Sequence, residues 1–235
     1  MRKLNFVVFF AMMMMMLVIG CGGLKEKAVV EDIVAAAPEM TNVVLENDYV
    51  KAVEFTLKPG ESLPLHKGGN RAIFALSDYK IKWTEGKEVT EKEWTKGEAH
   101  WHDAVDHAVE NIGDTDANYL VVTRKDMALP ATEGYDVFQD ASMLDMNHSE
   151  NIFENDDVRI IEVNIPIGEG QPMHQGVNRL IYSLTPYTIK YTSDKMETKE
   201  STMEAGDAHW HTADEHAVEN IGETEAHYVI FEFKK

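Results

Sequence analysis

Eight of the chain's ten histidines fall into two sets with almost the same spacing. His66, His100, His102 and His107 form one set, and His174, His209, His211 and His216 the other. His100 and His102 stand two residues apart around Trp101, as His209 and His211 do around Trp210. On an extended strand, residues two apart share a face. Two imidazoles on one strand face, joined by two from other strands, make a donor set for a divalent transition metal. Imidazoles alone do not choose among Fe, Mn, Zn, Ni and Cu. A catalytic metal would also need an open coordination position. The opposite strand parity, with both imidazoles in solvent and Trp101 in the core, stays open at this stage. Arg71 and Arg179 follow the first histidine of each set and are candidate anchors for a ligand carboxylate. Glu110 and Glu219 lie three residues past the last histidine. They are candidate ligand-binding, base or imidazole-orienting residues, weighed against solvated surface carboxylates.

These residues sit in an internal duplication. Glu46-Asn47-Asp48-Tyr49-Val50 returns as Glu154-Asn155-Asp156-Asp157-Val158, an offset of 108. Asn70-Arg71 returns as Asn178-Arg179, and Tyr79-Lys80-Ile81-Lys82 as Tyr187-Thr188-Ile189-Lys190. The offset then becomes 109, with the inserted residue expected near Lys92 to Lys96. From Gly97 to Gly113, thirteen of seventeen positions match Gly206 to Gly222, so the histidine region is the best-kept part of the repeat. Two long copies mean a duplicated domain, since a solenoid or propeller has more and shorter units.

Each copy reads as strands. Val53, Phe55 and Leu57 alternate with Glu54 and Thr56, and Tyr79, Ile81 and Trp83 with Lys80 and Lys82. Period-two alternation marks half-buried strands. Breakers such as Lys58-Pro59-Gly60, Gly86 and Gly113-Asp114 separate them. The aromatic residues Tyr79, Trp83, Tyr187 and Tyr191 are expected to fill the interior. The pattern predicts an all-β chain whose units are each a small antiparallel barrel or sandwich.

At this point the residues resemble a family. Gly60 followed by His66 looks like the opening of the first cupin motif, and Gly97 with His107-Ala108-Val109-Glu110-Asn111 looks like the second. Gly206 with His216 to Asn220 repeats the latter. The chain resembles a bicupin, two tandem jelly-roll (RmlC-like cupin) barrels. The expected layout is cupin domain 1 over 42–127, a linker over 128–149 and cupin domain 2 over 150–235. The resemblance implies a metal-binding barrel interior, but the motif departs from the family pattern. The second histidine of the usual His-x-His is Gly68 or Gly176, and the following Glu is absent. The usual Pro and Gly positions of the second motif hold Asp103 and Val105 in one copy, Thr212 and Asp214 in the other. His100 and His102 are the candidates to stand in for the missing ligands.

The amino terminus reads as an address. Arg2 and Lys3 precede an apolar run from Phe6 to Ile19, which ends Val18-Ile19-Gly20-Cys21. The run has signal-peptide proportions rather than those of a membrane span. The ending resembles a bacterial lipobox, which implies a signal peptide over 1–20 and lipid on Cys21, the only cysteine. Residues 21–41 are expected to be a tether. The location expected is the bacterial cell envelope, lipid-anchored at the outer membrane or facing the periplasm.

A net charge of −19 excludes a nucleic-acid partner, because such a surface repels phosphate. A single cysteine excludes a disulfide framework. No nucleophile elbow or phosphate-cradling loop is present. The expected function is a cell-envelope bicupin lipoprotein that binds a divalent metal and a small ligand in each barrel, as a monomer or homodimer. The alternative is a metal-dependent dioxygenase or isomerase acting on a small organic acid or sugar.

Overall fold

The computed structural model describes residues 28–132 and 134–234. The expected signal peptide and Cys21 lie outside the described residues. The first unit contains the one-turn helix α1 (Ile33–Ala36) and nine strands: β1 (Thr41–Glu46), β2 (Val50–Leu57), β3 (Ser62–Gly68), β4 (Arg71–Ala75), β5 (Tyr79–Glu85), β6 (Glu88–Trp94), β7 (Ala99–His102), β8 (Val105–Asn111) and β9 (Ala117–Arg124). The second contains α2 (Ala141–Leu144), β10 (Ser149–Glu154), β11 (Val158–Ile165), β12 (Gly170–Gly176), β13 (Arg179–Ser183), β14 (Tyr187–Ser193), β15 (Thr198–Met203), β16 (Ala208–His211), β17 (Asp214–Asn220) and β18 (Ala226–Phe233).

Each unit folds into two facing antiparallel sheets. The five-stranded sheet runs β1-β2-β9-β4-β7 and the four-stranded one β3-β8-β5-β6; the second unit repeats this as β10-β11-β18-β13-β16 and β12-β17-β14-β15. Apart from the hairpins β1–β2 and β5–β6 and their copies, strands consecutive in sequence cross between the sheets, which is the jelly-roll arrangement. Every pairing between strands is antiparallel.

The expected alternation holds on β2, but only one of its two faces was anticipated. Val53, Phe55 and Leu57 point into the first barrel with Ile73, Tyr119 and Val121. Val50 and Ala52 are also buried, on the opposite face. With Ala72, Phe74, Leu120 and Val122 they meet Val158, Ile160, Leu180, Val229 and Phe231 of the second unit. The two five-stranded sheets thus pack back to back, and a large apolar cluster lies between the barrels as well as inside each. Trp101 and Trp210 pack against this cluster, Trp210 stacked on Tyr49 with ring centroids 5.4 Å apart.

Two boundaries differ from expectation. The inserted residue lies at the tip of the β5–β6 hairpin and not near Lys92–Lys96. Thr84 pairs with Val89 there, while Thr192 pairs with Thr198 across a longer turn. A hairpin tip accepts an extra residue without changing strand register. Residues 30 onward, expected as tether, join the barrel: the amide of Val30 donates to Leu65 O, and Ile33, Val34 and Met40 pack on its core. α1 and α2 are repeat copies at the 108 offset, capped by Asp32 and Asp140. Among the described residues no helix is long and apolar enough to cross a membrane.

Candidate functional site

The strand pairing brings each histidine set together. His66 on β3 is the cross-strand partner of His107 on β8, and His174 of His216. β7 pairs with β4, placing His102 beside Arg71 and His100 beside Ile73. The open parity is resolved: with Trp101 turned to the inter-barrel core, His100 and His102 face the first barrel's interior. All four histidines and Arg71 line one cavity of about 230 Å³. His174, His209, His211, His216 and Arg179 line the equivalent space in the second barrel, which is only about 40 Å³.

Glu110 and Glu219 are not part of either site, and the expectation that they bind a ligand is corrected. Along β8, Val105, His107, Val109 and Asn111 face inward, which turns Glu110 out. It pairs there with Lys82. Glu219 pairs with Lys190 at 2.7 Å on the outside of the second barrel.

The first site is built from stacked rings. His107 lies against Trp83 at 3.9 Å between centroids and 12° from parallel, and His102 against the same indole at 4.6 Å. His100 stacks on Trp94 at 3.7 Å. His66 and His107 are tilted together at 4.2 Å. His66 Nδ1 is 2.8 Å from Pro64 O, which fixes its proton on Nδ1 and leaves Nε2 as an acceptor. Burial is the main cause holding these imidazoles neutral; it takes His100 to about 3 and His102 to about 4, lowers His66, and pushes His107 furthest, with Arg71 adding to it. His100 Nδ1 is buried with no hydrogen-bond partner.

Arg71 is the buried cation of this cavity, 3% exposed, while Lys51 and Lys67 line its outer part. Its Nη1 donates to Gly69 O at 2.8 Å, and its Nη2 lies 3.4 Å from both ring nitrogens of His107. The guanidinium carbon stands 5.4 Å over the Trp83 ring. Among the described residues no carboxylate forms an ion pair with it. Burial lowers its pKa from 12.5 to about 10, so it remains a cation at neutral pH. Its position also explains the motif departure at Gly68. A Cβ there would stand 2.5 Å from Arg71 Nη1 and 2.8 Å from His107 Cε1; at Gly176 a Cβ would meet Arg179 Nη1 at 2.5 Å. The arginine head occupies the room that a histidine at this position would need.

Among the described residues no group of three or more His, Cys, Asp or Glu is arranged to hold a metal ion. The ring nitrogens of the first barrel are joined by a buried guanidinium, and the carboxylates that line the cavity, Glu31 and Asp32, are exposed. A dication among these rings would be repelled by the guanidinium at low dielectric. On these grounds the residues present do not fit a metal.

The second barrel answers the same arginine from within. Asp214 stands where the first copy has Val105, and its Oδ1 is 2.9 Å from Arg179 Nη2. Tyr191, in the place of Trp83, donates its hydroxyl to Asp214 Oδ2 at 2.6 Å. Asp214 Oδ1 is also 3.1 Å from His216 Nδ1. Burial opposes its ionisation, but His211, His216 and the Arg179 charge outweigh that and hold the carboxyl far below the usual range. Neither Asp214 nor Gly68 was singled out as functional from the sequence. The signal was present: position 105/214 is one of the four mismatches within an otherwise identical histidine segment.

No protein-family model matches the chain, and no curated protein matches it in sequence. Solved structures do share its fold. AerE from Microcystis aeruginosa superposes with a TM-score of 0.56 at 15% identity, over 83% of this chain and 98% of that one. Oxalate decarboxylase from Lactobacillus farciminis, in a formate complex, gives 0.55 at 14% identity, over 79% and 77%. A Bacillus subtilis oxalate decarboxylase variant gives 0.56 at 14% identity, over 87% and 72%.

Proposed function

We propose that this chain, which has the cupin fold in its two-barrel form, is a ligand-binding lipoprotein of the bacterial cell envelope whose first barrel takes one small carboxylate. The observation that supports this reading is Arg71: a guanidinium 3% exposed, without a carboxylate partner among the described residues, in a hollow of about 230 Å³. A buried cation left alone is costly, and a carboxylate that pairs with it in bidentate fashion relieves that cost. Trp83 supplies an apolar wall, and neutral His66 and His100 supply ring nitrogens for a hydroxyl or second polar group on the ligand. The divalent metal expected from the histidines has no part in this reading. The fold likeness carries no activity to this chain at these identities.

The envelope location rests on the first 21 residues: a charged start, an apolar run and the lone cysteine at its end. Lipid on Cys21 would leave the residues before Val30 as the link between membrane and barrel. Fractionation of cells expressing the chain tests this: wild type belongs with membranes, and Cys21→Ser belongs in the soluble fraction.

For the ligand, the full chain in detergent is titrated calorimetrically with formate, acetate, oxalate and citrate, alongside metal analysis of untagged protein. One saturable equivalent of at least one acid, lost in Arg71→Met, is expected, with no stoichiometric metal. Failure of every acid to bind, or one equivalent of metal lost on replacing His66 and His107, overturns the reading.

A further inference from the structure

We propose that the second barrel contains a latent carboxylate site at Arg179 which its own Asp214 occupies, so that the chain offers one carboxylate site and not two. This rests on the reading of Arg71 given above and extends it to the other copy.

The two arginines are placed alike. Each begins the strand after its glycine, each is nearly fully buried, and each lies 3.4 Å from the motif histidine, His107 or His216. What differs is the rest of the lining. Val105 becomes Asp214, which brings a carboxylate to 2.9 Å from the guanidinium. Trp83 becomes Tyr191, whose hydroxyl holds the other oxygen of that carboxylate. The carboxylate therefore receives a guanidinium on one oxygen and a phenol on the other, as a bound ligand would.

Three further differences close the mouth of the second barrel. Lys51 becomes Arg159 and Thr123 becomes Glu232, at the 108 and 109 offsets. Asp140, the copy of Asp32, is buried with them: Arg159 binds Asp140 at 2.6 Å and Glu232 at close range. Tyr135 donates to Asp140 as well, at 2.9 Å. In the first barrel Asp32 is exposed, and Lys51 reaches only Glu46 at 3.6 Å. The two substitutions and the burial of Asp140 go with a space of about 40 Å³ against about 230 Å³.

The test removes the internal carboxylate and supplies an external one. Asp214→Val installs the residue the first copy carries at that position. It is made in the wild-type chain and in an Arg71→Met background, and acetate is the probe. In the wild-type background the stoichiometry is expected to rise from one to two. In the Arg71→Met background it is expected to rise from zero to one, and to return to zero when Arg179→Met is added. Acetate should also raise the melting temperature of Asp214→Val more than that of wild type. Asp214→Asn, which keeps the shape and removes the charge, serves if the valine variant does not fold. Two equivalents bound by wild type, or no acetate bound by folded Asp214→Val and Asp214→Asn in the Arg71→Met background, overturns the proposal. Because that background reads the second barrel alone, failure of the first-barrel reading gives a different result: no binding by wild type, with Arg179-dependent binding still appearing in the double variant.

Discussion

The same substitution made in the two copies should change stability in opposite directions. Arg71 is a buried cation without a carboxylate partner, and its pKa falls from 12.5 to about 10 through burial. At about 1.4 kcal/mol per pH unit, the fold disfavours its charge by about 3 kcal/mol. Methionine has a similar reach and no charge. Arg71→Met should therefore stabilise the unliganded chain, by roughly 2 kcal/mol once the lost contact over Trp83 is set against it. For a chain of this length that is a rise of about 4–8 °C in melting temperature. Arg179→Met does the reverse. It takes the paired charge at 2.9 Å from Asp214 and leaves that carboxylate with the Tyr191 hydroxyl at 2.6 Å and His216 at 3.1 Å. Removing one member of a buried pair costs about 3–5 kcal/mol. Asp214 is 26% exposed, so water offsets part of this and about 2–3 kcal/mol remains. The melting temperature should fall by about 4–12 °C. Differential scanning calorimetry of both variants at pH 7.5, without added acids, decides the matter. If both variants melt lower than wild type by similar amounts, the two arginines are equivalent structural groups and the asymmetry argued here is wrong.

Three other outcomes follow from the same geometry. Acid should unfold the chain early: burial lowers the pKa of His66, His100, His102, His107, His174, His209 and His216, so these are neutral in the fold and take up protons on unfolding. The stability they carry is full above pH 6.5 and is lost below it, at up to about 1.4 kcal/mol per pH unit for each imidazole; a melting temperature that stays flat from pH 7 to pH 4.5 would contradict this. Gly68→Ala places a Cβ 2.5 Å from Arg71 Nη1, so the guanidinium must move; carboxylate affinity should drop more than tenfold in a titration while the circular dichroism spectrum is unchanged. Asn111 is fully buried and donates to Leu57 O at 2.7 Å and Thr115 O at 2.8 Å, while Gly113 N donates to it, so Asn111→Ala should cost about 2–4 kcal/mol in a denaturant melt and leave acetate affinity of the folded protein intact.

Fold and site were legible to different depths. The jelly-roll pairs could be read because period-two alternation on β2 and β5, and the doubled motif, are local signals that survive in one dimension. The face of β2 carrying Val50 and Ala52 was missed because burial there is supplied by the other barrel, over a hundred residues away. The histidine faces were undetermined for a related reason. His100 and Trp101 can each be the inward residue of an isolated strand, and the inter-barrel cluster that claims Trp101 decides between them. The histidine spacing points to a metal, but it does not show what fills the space left by Gly68. A glycine is silent in a pattern of ligands, and only the structure shows an arginine head lying across it.

The duplication also explains why a closed barrel stays useful. A half-buried sheet needs one apolar face, but the first five-stranded sheet has two: Val53, Phe55, Ile73, Tyr119 and Val121 inside, and Val50, Ala52, Ala72, Phe74, Leu120 and Val122 outside. A single barrel would leave the outer set in water, an exposed apolar sheet face of the kind that aggregates. The second copy covers it with the matching face of its own sheet. That service depends on Val158, Ile160, Leu180, Val229 and Phe231 and not on the barrel's contents. The interior of the second barrel is therefore free to become a packed, self-paired core, in which Asp214 against Arg179 and Asp140 against Arg159 add rigidity to the surface on which the open barrel rests. Changes at the inter-barrel face should accordingly damage ligand binding in the first barrel more than changes at Asp214 do, even though Asp214 lies within the more site-like surroundings.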